Sequence, residues 1–262
     1  MQRPPGRRSP PVLFSRSANE WINKVNQKHK EFAGLALSSE QKGGLDRWAE
    51  AEFVFATLEL DGVRASRDSI ARVVSSPLIG ESEIDEGGLV IVNLLRAVRA
   101  AESIAREKGR AAQLTPDLLI RFDASSAGGF RKSSGGAGRA HEQALAHEPT
   151  PAEHLDRAIE SACLWFTAES FDELNPVEQA SIVYFRLIEI QPFEQANGRG
   201  SLVAASLFTL RAGLPPIIIR PEHSNAFRAA LEEGVRMNTR PMVELIAEAT
   251  HRTLAEMIER VK

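Results

Sequence analysis

The chain has 262 residues, a formal net charge of −3 at pH 7, 43% hydrophobic and 26% charged residues. That is enough to bury a substantial core, and the near-neutral balance argues against nucleic acid or an anionic membrane as partner. One cysteine, Cys163, rules out an internal disulfide and fits a reducing interior. No run reaches the roughly 18 apolar residues of a membrane span.

The opening residues, Met1 to Pro11, are rich in Arg and Pro with no apolar stretch. Residues 1–17 therefore read as a flexible tail rather than a secretory signal, and the expected location is cytoplasmic. A short helix is expected around Trp21, Ile22 and Val25. Ser38 or Ser39 offers the N-cap of the next helix, whose apolar positions Leu45, Trp48 and Phe55 recur at threes and fours until Gly62 stops it near Leu60. Arg67 to Ser76 reads as a helix ending before Pro77, and Ile79 to Gly88 as a loop. Leu89 to Lys108 is a long amphipathic helix closed by Gly109, and Thr115-Pro116 opens a short one.

Residues 125–138 are glycine- and serine-rich, the least structured stretch of the chain. Ala158, Ile159, Ala162, Cys163 and Phe166 stripe a further helix, in which Cys163 is a buried small side chain. Asn175-Pro176-Val177-Glu178 is a strong helix start, with Asn as cap, Pro at the first position and Glu completing a capping box. That helix runs through Val183, Leu187 and Ile188 until Pro192 ends it. Asn197 is expected to cap the next, which carries Val203, Leu207 and Leu210 and closes at Gly213 and Pro215-Pro216. Two more helices follow, one striped by Phe227, Leu231 and Val235 and one opened by Thr239-Arg240-Pro241. There is no internal repeat, no P-loop and no Cys/His metal spacing.

The segment Gln191-Pro192-Phe193-Glu194-Gln195-Ala196-Asn197-Gly198-Arg199 joins the two strongest helices. A helix N-terminus formed by Asn-Gly-Arg offers backbone N–H groups, the positive end of the macrodipole and a guanidinium one turn inside, which together suit a phosphate. The segment resembles the signature of the Fic family, His-Pro-Phe-x-(Asp/Glu)-Gly-Asn-Gly-Arg-x-x-Arg. Pro192, Phe193, Asn197, Gly198 and Arg199 match in register. The resemblance implies an all-α Fic-like helical bundle and an ancestral transfer of AMP from ATP to a protein hydroxyl. It implies at most a small β-hairpin flap near 128–149, which would clamp a target peptide by strand addition. The expected organisation is a tail (1–17), an N-terminal helical region (18–84) and a Fic-like core (85–262).

The departures from that signature fall on the chemistry. Gln191 stands where the family has its general base, and an amide cannot take a proton near neutral pH. Gln195 replaces the acidic Mg²⁺ ligand with a neutral oxygen. Ala196 replaces a glycine, and a left-handed backbone there costs about 1–2 kcal/mol. Leu202 replaces the final phosphate-clamping Arg. Rescue would require Glu194 through a slipped loop, or a base from His141, His147, His154 or His223.

Upstream, Thr57-Leu58-Glu59-Leu60-Asp61-Gly62 resembles the inhibitory segment of Fic proteins that carry an N-terminal inhibitory helix, (Ser/Thr)-x-x-x-Glu-(Gly/Asn), whose Glu pairs with the signature's second Arg. Here the acid is Asp61 and the partner position is Leu202, so the inhibitory ion pair is expected to be lost.

The expected function is a degenerate Fic protein, inactive or strongly impaired, with Asn197, Gly198, Arg199 and Ala196 as a residual nucleotide site. ATP with Mg²⁺ would bind weakly, and a protein partner is expected. The rival readings are an active nucleotidyl or phospho-moiety transferase with a non-standard base, and a ligand-free helical interaction module.

Overall fold

A computed structural model describes residues 16–76, 86–125, 128–133 and 148–262. Within them the chain is all-α, and no strand occurs among the described residues. Residues 1–15 of the expected tail and most of the expected flap lie outside these residues, as do His141, His147 and the expected domain boundary at 84, whereas residues 16–17 are helical.

The first helix, α1 (Arg16–Ala33), is longer than the short one expected, and its Ile22 and Val25 are buried. Trp21 meets the ring of His251 edge-on at 5.7 Å. Next, α2 (Ser39–Leu60) starts from a complete capping box between Ser38 and Gln41. It ends in a Schellman turn: Gly62 takes φ +71°, Val63 N–H donates to Leu58 O at 2.8 Å and Gly62 N–H to Glu59 O at 3.1 Å. This turn holds Asp61, 4% exposed, at the end of the helix. It is followed by α3 (Arg67–Ser75), capped by Ser66. Then α4 (Glu86–Lys108) starts a little earlier than the apolar periodicity indicates, inside the stretch expected to be loop.

Two short helices, α5 (Pro116–Arg121) and α6 (Leu155–Trp165), flank the flap region, and α7 (Glu169–Asp172) is a single turn. The centre of the molecule is the hairpin of α8 (Pro176–Ile190) and α9 (Asn197–Leu210). Asn175 and Glu178 form the expected capping box of α8. Every residue of α9 from Asn197 to Thr209 is buried, which marks a helix enclosed on all sides rather than an amphipathic surface one. Around this hairpin, α4 crosses α9, while α10 (Ser224–Val235) and α11 (Arg240–Glu259) close the bundle with α1. One buried cluster runs from Val25 and Phe53 through Leu94, Leu187 and Leu207 to Ile246.

Candidate functional site

The 191–196 loop sits at the mouth of the α8–α9 hairpin, and two of its residues carry left-handed backbone without being glycine. Gln191 has φ 49° and is the C-cap of α8; Ala196 has φ 60° and precedes α9. The glycine-like conformation expected at Ala196 is therefore adopted, at a cost of about 1–2 kcal/mol. Something else must hold the loop in place.

Asn197 is one such restraint, and the structure corrects its expected role. The cap position belongs to Ala196, and no side chain caps α9. The Asn197 amide instead closes a ring with Phe193. Phe193 N–H donates to Asn197 Oδ1 at 2.8 Å, and Asn197 Nδ2 donates to Phe193 O at 3.0 Å. Asn197 is fully buried, so its amide serves the loop's shape. Phe193 is buried beneath α9, and a Cβ on Gly200 would lie 2.6 Å from its ring. Helix and loop can approach this closely only because position 200 is glycine.

Arg131 is the second restraint. Only 3% exposed, it donates from Nε to Gln191 O at 2.6 Å, from Nη2 to Ile190 O at 3.2 Å and from Nη1 to Ser133 O at 2.7 Å. Nη2 also donates to Thr150 O. Its own N–H donates to Pro192 O at 2.9 Å. One guanidinium thus satisfies carbonyls at the end of α8 that the helix leaves without partners. Burial lowers its pKa, and Glu194 opposes that shift.

Glu194 turns toward the same segment, taking Lys132 N–H at 2.9 Å and Ser133 Oγ–H at 3.3 Å on its two oxygens. It thereby ties the 191–196 loop to residues 132–133, at the start of the expected flap. His223 faces Arg252, with nitrogen separations of 3.0 and 3.3 Å, and His154 stands just ahead of α6. Burial pushes the Cys163 thiol up to about 11, which leaves it a poor nucleophile.

The largest departure from expectation is at Arg199. Its Nε lies 2.9 Å from Asp61 Oδ2, and both side chains are almost fully buried, at 4% and 2% exposure. The pair with position 202 is absent, as expected, but Asp61 makes a different one, with the signature's first Arg. Leu202, where the second Arg would stand, is 3% exposed in the hydrophobic core. Thr57, one turn before Asp61, is also buried, and its hydroxyl has no hydrogen-bond partner among the described residues; the same holds for Ser201 Oγ. The cation that the resemblance assigns to a phosphate is thus paired from within the chain.

Gln191 and Arg199 therefore come together around one loop, with Asp61 brought to it from α2. Gln195 is exposed and neutral, and no group of three His, Cys, Asp or Glu side chains gathers to hold a metal among the described residues. Toward a Mg²⁺-nucleotide complex this loop offers a neutral oxygen at Gln195 and, at Arg199, a guanidinium already paired with Asp61. Arg131 and the partner of Arg199 escaped sequence reading. Neither pairing leaves a spacing signal, since the partners lie far apart in the chain.

Residues 113–209, from the approach to α5 through nearly all of α9, match the model of the Fic/DOC family. A curated protein adenylyltransferase Fic from Culex quinquefasciatus is 36% identical over 90 residues, which cover 34% of this chain and 18% of the relative. Another from Nematostella vectensis is 21% identical over 238 residues, covering 90% of this chain and 55% of the relative. The chain thus spans about half, or less, of the length of these relatives. Among solved structures, Fic-1 from C. elegans superposes with a TM-score of 0.76 at 19% identity, covering 93% of this chain and 72% of that one. A Fic domain-containing signaling protein from Bacteroides thetaiotaomicron gives 0.75 at 17% identity, covering 92% and 97%. The signature-bearing hairpin thus lies within a Fic/DOC-family segment, residues 113–209, and the bundle around it has the fold of solved Fic proteins.

Proposed function

We propose that this chain is a degenerate Fic protein, built on an AMP-transferase scaffold but inactive or strongly impaired in transfer. The observation that carries this reading is the buried Asp61–Arg199 ion pair beside an amide at the base position. Without a general base the proton of an attacking hydroxyl has no acceptor, a loss of roughly 10²–10⁴ in rate. With Arg199 neutralised, a triphosphate must first displace a buried carboxylate, and Gln195 offers a metal only a neutral oxygen. At most, weak phosphate or nucleotide binding at Ala196, Asn197, Gly198 and Arg199 remains.

Thr57, Asp61 and Gly62 act in this reading as an inhibitory-like segment that has become a permanent lock. The protein works through contacts with another protein, in the cytoplasm, with the 18–84 region packed on the 85–262 core. The test is to incubate the purified chain with Mg²⁺ and labelled ATP beside an Arg199→Ala variant. Label at background in both is expected; robust self-modification abolished by Arg199→Ala would refute the proposal.

A further inference from the structure

Far along α9 from the signature loop, its last turn and the Gly213–Pro216 segment meet α2, α4 and the end of α1 around an open cleft of about 500 Å³. Leu37, Leu45, Leu210, Leu214, Pro216 and Met257 supply an apolar lining. The volume is that of a small-molecule pocket, and the walls are of the apolar kind such pockets use. Two carboxyl groups, Asp46 from α2 and Glu102 from α4, share this lining.

The charges around the cleft are unevenly matched. Buried Glu50 lies next to it and takes Arg99 in a two-pronged pair, Nε to Oε1 at 3.0 Å and Nη2 to Oε2 at 2.7 Å. That arginine is spent on Glu50 and on Val74 O. Arg211 is committed to Ala112 O at 2.7 Å and Gln179 Oε1 at 3.0 Å, and stacks on Phe208. Lys42 is exposed at the rim. Arg106 reaches Asp46 only at 3.5 Å, with its side chain 70% exposed, so this pair is a weak surface contact.

We propose that the cleft binds a small organic cation, an ammonium group on an apolar body, with the ammonium between Asp46 and Glu102 and the body against the leucine and proline wall. This site is independent of the signature loop. Burial, reinforced by Glu50 and Asp46, pushes the Glu102 carboxyl up to about 8, and burial raises that of Asp46 as well. Glu102 therefore holds a proton at neutral pH, and an arriving ammonium expels that proton. Binding is accordingly linked to proton release, which a purely apolar ligand would not show.

Phenethylamine is a suitable probe, with phenethyl alcohol as its neutral match, titrated into the full chain by calorimetry at pH 7. Repeating the titration in two buffers of different ionisation heat counts the protons released. The expected result is that the amine binds roughly ten- to a hundredfold more tightly than the alcohol, the range for a hydrogen bond to a charged group. Close to one proton should leave per amine bound. Glu102→Gln should abolish the proton release and, like Asp46→Asn at an exposed position, weaken the amine about tenfold or more. Equal binding of amine and alcohol overturns the proposal, as does an amine affinity unchanged in both variants or no amine binding at millimolar concentration. Circular dichroism of each variant confirms that a lost signal is not a lost fold.

Discussion

Replacing Asp61 with Asn removes one charge of the buried pair while keeping its shape, and the consequence can be worked from the geometry. At 2.9 Å, Arg199 and Asp61 attract by about 6 kcal/mol at an effective dielectric of about 20. Desolvating both groups offsets much of this, so the net contribution of the pair is smaller. Removing one partner is a different matter, because it leaves a buried guanidinium without its counter-charge, at about 3–5 kcal/mol. For a chain of this size that lowers Tm by roughly 10 °C.

The lost charge is one that an added anion can replace. Millimolar phosphate or ATP should therefore raise the Tm of Asp61→Asn by several degrees while leaving the wild type unmoved. Thermal and urea unfolding, with and without the anion, measure both effects. An Asp61→Asn variant as stable as the wild type, or one that anions fail to stabilise, would show that the pair does not seal the site.

Other expectations follow from single contacts. Gly200→Ala drives a methyl into the Phe193 ring at 2.6 Å and toward Phe122 O at 3.1 Å; it should cost about 1–3 kcal/mol in urea unfolding, partly recovered by a second change, Phe193→Leu. Arg131→Ala strips partners from the carbonyls of Ile190 and Gln191, at about 2–4 kcal/mol, and should speed protease cleavage near residue 191. Glu102, with its carboxyl pushed up to about 8, binds a proton more tightly folded than unfolded. Its contribution is complete below about pH 4.5 and drains away as pH rises through 8, worth a few kcal/mol at ~1.4 kcal/mol per pH unit. The wild type should therefore lose stability between pH 5 and 9 relative to Glu102→Gln, as read from urea midpoints; parallel curves would contradict this.

Much of the fold was legible because its signals are local. The Ser38 and Asn175 caps, the stops at Gly62 and Gly213, and the Pro192 boundary each act within one turn of the backbone they terminate. Asn197 was misread because an Asn before a helix serves equally as a cap or as a brace for the preceding loop. The choice was made by Phe193, whose backbone offers both a donor and an acceptor at the right distance. Arg131 gave no signal, since the carbonyls it satisfies belong to a helix end that only tertiary structure brings near. The Asp61–Arg199 pair was hidden by an assumption that the acid had one permitted partner.

That last misreading has a physical origin that bears on the whole site. Positions 199 and 202 lie three apart on α9 and so face the same way. Leu202 is sunk in the core, which leaves Arg199 as the cation on that face within reach of the end of α2. A carboxylate delivered there by the Schellman turn at Gly62 is tethered to the same molecule and needs no diffusion to rebind. An incoming phosphate must first break this pair, so its affinity falls by the cost of breaking it, roughly 10²–10³-fold. An intrinsic millimolar affinity then falls outside any physiological range. On this argument, a Gln191→His variant is expected to transfer no label from ATP, because Asp61 holds the arginine of the proposed nucleotide site; label above background in that single variant would contradict it.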